Sequence, residues 1–211
     1  MKIYDNIYFF LKKYYRLQKN KNKPTRYLEI GPGDNKLPGF ESLNIHYGKN
    51  TDYWHDASKK LPFKDNTFDL VYGSHILEHI PWFLTEKVLS EWIRIMKKEA
   101  WLEVWVPDGK KIIQAFIDSE KGNNYIDKDG WYRFNESKDP CLWLNGRIFS
   151  YGDGNSDPSS PNWHRALFTY DRLKALFTSL GLTNIAKLDN DKVRAYNHGW
   201  INLGIKGQKC I

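Results

Sequence analysis

Between residues 26 and 107 short apolar runs alternate with segments of helical period, and no other feature narrows the folds open to this chain so far. The runs RYLEI, SLNIHY, FDLVYGS and WLEVWVP carry the β-branched and aromatic side chains that suit strands. Val88, Leu89, Trp92, Ile93 and Met96 recur at helical spacing before the last of these, and Ile112, Ile113, Phe116 and Ile117 after it. A further helix is predicted through Leu173, Leu176, Phe177 and Leu180, with Thr169 as its cap and Gly181 as its stop, followed by the strand-like runs NIAKL and WINLGI. Strands interleaved with helices imply an α/β fold, a largely parallel sheet with crossover helices on its faces.

Two segments stand outside that alternation. Residues 1–24 place Ile3, Ile7, Phe10, Leu11 and Tyr14 on one helical face and lysines on the other, an amphipathic helix expected to dock on the body of the domain, with Pro24 closing it. Residues 120–163 are rich in Gly, Asn, Asp, Ser and Pro yet carry Tyr125, Trp131, Tyr132, Phe134, Trp143, Phe149, Tyr151 and Trp163, too long for a simple connection. With 211 residues, 41% hydrophobic and 27% charged, the remainder, 25–211, has the size of a single domain. No apolar run approaches the ~20 residues of a membrane span, and the first residues lack the apolar centre of a secretory signal, so a cytoplasmic protein is expected. Cys141 and Cys210 lie far apart without ligand spacing and are expected as reduced thiols. The net charge of +7 suits a polyanion, but much of it sits in Lys12, Lys13, Arg16, Lys19, Lys21 and Lys23, a solvated run, which argues against a nucleic-acid partner.

The stretch YLEIGPGD ends a strand in an acid and two glycines. Gly31 and Gly33 let the backbone turn tightly and approach a ligand, because no Cβ stands in the way. A dinucleotide fingerprint wants a third glycine where Lys36 stands, and LPGF does not open a long helix. Glu29 would repel a phosphate and hold an ammonium, so the loop prefers a cationic ligand.

Downstream, HDASKKLPFKDNTFDLVYGSHILEHIP sets an acid, then LPF, then FDLVYGS, then LEH. With the glycine loop, this pattern resembles the small class I S-adenosylmethionine-dependent methyltransferases, and within them those of surface-polysaccharide synthesis and of chlorovirus glycan-building proteins. The resemblance runs over residues 26–108 and continues more loosely through NWHRALFTYDRLKALFTSLGLTNI and HGWINLGIKG. It implies a Rossmann-like fold with a seven-stranded, mostly parallel sheet and flanking helices, S-adenosyl-L-methionine as cofactor, and a methyl transferase activity. It also implies roles: Glu29, Gly31, Pro32 and Gly33 around the methionine part, Asp56 and the Ala57 backbone at adenine, and Ser74 and His75 facing the transferable methyl. The ribose-binding acid of the pattern aligns with His46, which offers one hydrogen bond where a carboxylate offers two. KKEA replaces a PGG turn before WLEVWVP, and Asn35 replaces the third loop glycine.

For a hydroxyl acceptor the protein must align the oxygen and take its proton, a task suited to an imidazole of pKa about 6.5. His75, His79 and His164 are the imidazoles to weigh, with Asp108 at the carboxyl edge of the sheet as an alternative carboxylate; His79 reads rather as a tie at a helix start. His75, Asp108 and His164 are the expected catalytic set. No metal is expected, since carboxylates do not converge near the methyl. The aromatic insertion suits the faces of a sugar, or else packs a small core of its own. The absence of an NPPY-like motif after FDLVYGS speaks against base N-methylation. The expected function is O-methylation of a sugar hydroxyl, such as that of a deoxyhexose like rhamnose, on a glycan or glycoside acceptor, fused to or beside a glycosyltransferase. The alternatives are a small metabolite or RNA ribose as acceptor, or an inactive cofactor-binding module.

Overall fold

The structure, a computed structural model, describes residues 3–123, 125–130 and 133–210. Trp131 and Tyr132 of the insertion lie outside them, as does Met1.

Seven strands form one sheet in the order β3-β2-β1-β4-β5-β7-β6. They are β1 (Tyr27–Ile30), β2 (Phe40–Asn44), β3 (Tyr53–Trp54), β4 (Phe68–Ser74), β5 (Met96–Pro107), β6 (Leu182–Leu188) and β7 (Asn202–Lys209). Neighbouring strands run parallel except β7, which is antiparallel to both β5 and β6. The helices are α1 (Ile3–Asn20), α2 (Thr85–Arg94), α3 (Gly109–Glu120), α4 (Tyr125–Asp129), α5 (Pro140–Phe149) and α6 (Tyr170–Ser179). This is the α/β sheet that the alternation predicts. No described helix is long and apolar enough to cross a membrane.

Local readings shift where a competing constraint takes over. Met96 continues the apolar period of α2, yet it opens β5, where its backbone pairs beside Phe68. The second run begins at Phe40 and ends at Asn44, so Ile45 to Tyr47 leave the sheet. The two-residue β3 is too short to leave a period. The insertion is not one loop: Asp139 caps α5 by accepting from the Leu142 N–H at 2.9 Å, and Pro140 starts that helix where no donor is needed.

The main core lies on both faces of the sheet and is built from Leu28, Ile30, Leu43, Val71, Leu89, Trp92, Leu102, Val104, Phe177 and Ile205 among others. A second, smaller cluster of Ile112, Ala115, Ile126, Trp143 and Ile201 fixes the insertion against α3. Asp129 is its polar hub, accepting from Trp143 Nε1 at 2.8 Å, Trp200 Nε1 at 2.9 Å and Arg147 Nε at 3.0 Å. Under β1 and β2 the guanidinium of Arg26 makes two 2.8 Å hydrogen bonds to Glu41, whose carboxylate also accepts from the Tyr53 hydroxyl. Both members of that ion pair are buried, so each depends on the other for its charge.

Candidate active site

Strand order reverses between β1 and β4, and open α/β sheets place ligands in the crevice that this creates beyond the carboxyl ends of the strands. A cavity of about 790 Å³ lies there. One side of it is made by the loop after β1, the end of β2, residues Asp56 to Ser58 and the end of β4. Gly31 turns with φ +70°, and a Cβ at that position would fall 1.9 Å from Ile76 Cδ1, so only glycine lets the loop lie against the residues after β4. Gly33, at φ +57°, faces open space.

Glu29 stands behind this loop. Its carboxylate is buried and accepts from the Leu37 N–H at 2.8 Å, which clamps the loop into its turn, and it does not line the cavity. Burial raises its pKa, against the opposing pull of that N–H and of Lys36. Pro32, Gly33, His46, Asp56, Ala57, Ser74 and His75 do line the cavity. Asp56 also caps its own turn, with Oδ1 accepting from Ser58 N at 2.8 Å, so the cap and the cavity wall are one residue. His46 sits just past β2, its N–H held by Asn44 Oδ1 at 3.2 Å. Asn44, a neutral amide on the same wall, was not singled out by the sequence.

The opposite side is built from Ile80 and Pro81, from Pro161, Asn162 and Arg165 where the insertion returns, and from Arg194 to Tyr196 and His198 before β7. The 194–198 segment is pinned by the Tyr72 hydroxyl, which accepts from Arg194 N at 3.2 Å and Ala195 N at 3.1 Å, and by the paired Arg194 and Glu103 side chains.

His75 occupies left-handed backbone, φ +54°, unusual for a side-chain-bearing residue and often tied to a functional position. Nε2 lies 2.9 Å from Asn202 Oδ1 and Nδ1 lies 3.2 Å from Glu78 Oε1. The Asn202 amide is oriented by its NH₂, which donates to Asn197 Oδ1 at 2.8 Å, so both His75 nitrogens face acceptors. An acceptor proton can move to His75 only if one of those partners gives way. The ring of His198 lies on His75 with centroids 3.8 Å apart. Its outer edge is open, but desolvation of the packed face, followed by the charge of His75, pushes its pKa down to about 4 and keeps it neutral near pH 7. His198, like Asn44, is a cavity residue that the sequence reading missed; the signal available was a further histidine four residues before a strand that pairs next to β5.

His79 and His164 meet with ring centroids 5.0 Å apart, beside the buried Glu78. Burial penalises the charge of Glu78, but His75, His79 and His164 around it outweigh this and hold the carboxyl below the ordinary range. Desolvation lowers the pKa of His164. His79 lines the main cavity, whereas His164 lies on a second cavity of about 450 Å³.

Asp108 is not brought to either cavity. Its side chain is the N-cap of α3, with Oδ1 accepting from Lys110 N at 3.1 Å and Lys111 N at 3.3 Å, and the residue is buried. A carboxylate spent on a helix start in this way is not placed to take a substrate proton. Several of the insertion aromatics make internal contacts. Trp143 stacks on Trp200 at 6.4 Å, Tyr151 packs on Phe134 at 5.1 Å, and Trp163 donates from Nε1 to the Asp157 carbonyl at 2.7 Å. Among the described residues, none of these rings lines the main cavity.

Residues 40–104 match the family described as methyltransferase domain. No curated protein matches the chain. Among solved structures it is similar to an S-adenosylmethionine-dependent methyltransferase from Methanosarcina mazei, at 15% identity over 92% of this chain and 97% of that one, with a TM-score of 0.51. It is also similar to 1,6-didemethyltoxoflavin-N1-methyltransferase of Burkholderia thailandensis, solved with its substrate and S-adenosylhomocysteine, at 9% identity over 96% and 78% of the two chains, TM-score 0.48. Against the CurJ carbon methyltransferase the identity is 14%, the TM-score 0.47, and the coverage 96% of this chain but 54% of that one, so this chain spans about half of its length. At such identities the likeness to solved structures is one of fold.

Proposed function

We propose that the chain is an S-adenosylmethionine-dependent methyltransferase and that it methylates a hydroxyl of a polyhydroxylated acceptor, a sugar of a glycan or glycoside; the methyltransferase-domain match at residues 40–104 supports the first part. The observation that carries the reading is the single cavity in which the glycine loop faces a wall of imidazoles and polar side chains. When bound, the cofactor supplies an electrophilic methyl group on a sulfonium.

The residues present fit that cofactor: a side-chain-free turn at Gly31 and Gly33, an acid at Asp56 for the adenine amino group, and the backbone of Ser74 and His75 for the methionine end. Glu29 acts from behind by holding the loop. His46 and Asn44 would meet the ribose with neutral groups in place of an acid.

On the acceptor side His198 is the base. As an acceptor oxygen is alkylated its proton becomes strongly acidic, so a weakly basic but neutral imidazole suffices to take it. His75 positions that ring by stacking, and its own nitrogens stay with Glu78 and Asn202. Asn162, Arg165 and Arg194 offer hydrogen bonds to the other hydroxyls. Tyr196, 76% exposed and edge-on to His198, offers one flat face at the mouth, as a sugar ring needs. The reading carries with it a cytoplasmic enzyme acting beside, or joined to, a glycosyltransferase; its support is the sequence resemblance.

The test is incubation with cofactor and a panel of rhamnose-like glycosides, amines, small metabolites and RNA, read by mass spectrometry. A methyl ether on a glycoside is expected. Transfer to amines or carbon alone would overturn the hydroxyl acceptor, and transfer to RNA alone would overturn the sugar.

A further inference from the structure

Glu78 presents a problem that the methyl-transfer reading leaves unsolved. Its side chain is 1% exposed, and neither carboxylate oxygen has a hydrogen-bond partner among the described residues; His75 Nδ1, 3.2 Å from Oε1, is out of line for one. A buried carboxylate whose nearest polar contact is one poorly aligned imidazole is costly unless a cation shares the space.

The neighbouring imidazoles are arranged to accept one. His79 directs Nδ1 at the Trp163 carbonyl, 3.3 Å away, so that nitrogen carries the proton and Nε2 keeps its lone pair. The Arg147 carbonyl lies by the His164 ring. Fixing one ring nitrogen on a carbonyl so that the other points at an ion is the usual second layer of a histidine metal site. One ligand atom from each of Glu78, His79 and His164 lies within 4.8 Å of the other two. Ligands about 2.0–2.2 Å from a common ion in tetrahedral geometry stand roughly 3.5 Å apart, so binding would draw atoms at the far end of that spacing together by about 1 Å. The main chain already holds the pieces together, because the Glu78 carbonyl accepts from Arg165 N at 2.7 Å and Ala166 N at 3.1 Å.

We infer that Glu78, His79 and His164 bind one divalent first-row transition-metal ion, of the zinc class, which ties the returning insertion to the turn after β4. Two neutral imidazoles and one carboxylate select such ions over magnesium or calcium, which prefer all-oxygen shells. Expecting no metal followed from looking for converging carboxylates; this cluster needs only one. Because His79 also lines the main cavity, the ion would stiffen the acceptor wall and leave the glycine loop alone.

The experiment uses the whole chain carrying Cys141→Ser and Cys210→Ser, since both thiols are exposed and would bind zinc themselves. After chelator dialysis, zinc titrated by calorimetry is expected to bind one ion per chain, and magnesium none. Glu78→Gln and His164→Asn should each weaken zinc by about 100-fold or more, with an unchanged circular dichroism spectrum as evidence that the fold is intact. X-ray absorption at the zinc edge, which needs no ligand variant, should show two imidazoles and a carboxylate oxygen. No stoichiometric uptake by the chelated chain, equal zinc affinity in the variants, or a shell lacking two imidazoles would each overturn the site.

Discussion

The two walls of the cavity are made differently. The cofactor wall is set by short loops that leave adjacent parallel strands, each held at its root by strand pairing and, at Gly31, by a contact that admits no side chain. The acceptor wall is assembled from segments that meet only in three dimensions: the turn after β4, the return of the insertion, and the stretch before β7. The first wall is rooted in the sheet. The second depends on a few polar anchors, Tyr72, Glu103, Asp129 and the Glu78 carbonyl. Loops on a fixed scaffold can change what they hold without changing the fold.

The largest expected effect breaks the comparison from beneath. Glu41→Ala leaves the guanidinium of Arg26 buried without its partner and should cost about 3–5 kcal/mol of stability, measured by denaturant unfolding. S-adenosylhomocysteine binding should fall with it, since β1 and β2 carry that wall. A loss under about 1 kcal/mol would mean that the ion pair does not underpin the sheet.

On the other wall, His198→Ala should lower kcat by about 100-fold, with cofactor Kd unchanged. The base form of His198 exists above its pKa and is lost as pH falls through about 4, so the acid limb of kcat should lie there. An acid limb near an ordinary histidine value of about 6.5 would assign the proton to another group.

Asp56→Ala tests the cofactor wall at a single contact. The expected change is a cofactor affinity weaker by about 1–3 kcal/mol in a folded chain, read by calorimetry; unchanged affinity would remove Asp56 from the adenine site. The smallest effect is expected from His46→Asp, which restores the acid that the family pattern carries at the ribose. Binding tighter by about 1 kcal/mol would sharpen the comparison by showing that this wall was short of one hydrogen bond, and weaker binding would show that no ribose hydroxyl is within reach.

The same division explains what could be read from the chain. Gly31, Gly33, Asp56 and Ser74 were legible as cavity residues because each is placed by its own backbone or its immediate turn, and such constraints leave their mark on neighbouring residues. α6 was legible for the same reason, with Thr169 accepting from Arg172 N at its start. Asp108 misled because a strand-end acid before a helix fits a catalytic position and an N-cap equally well, and only the Lys110 and Lys111 N–H bonds decide between them. For the insertion aromatics the sequence left a sugar platform and a small core both open, because a ring that stacks on a sugar and one that stacks on Trp200 have the same composition signature. His198 was missed because nothing local distinguishes it; its meaning comes from lying on His75.

The placement of β7 also bears on how the protein is made. β5 is the longest strand and pairs along one edge with β4 and along the other with β7, and β6 joins the sheet only through β7. During synthesis one edge of β5 stays without its partner until residues 202–209 have left the ribosome. An open, largely apolar strand edge is a template for pairing with another chain. The interval between translating Pro107 and Lys209 is thus the period in which a nascent chain is most exposed to misassembly, and the acceptor wall, which needs His198 beside His75, is the last part of the site to exist.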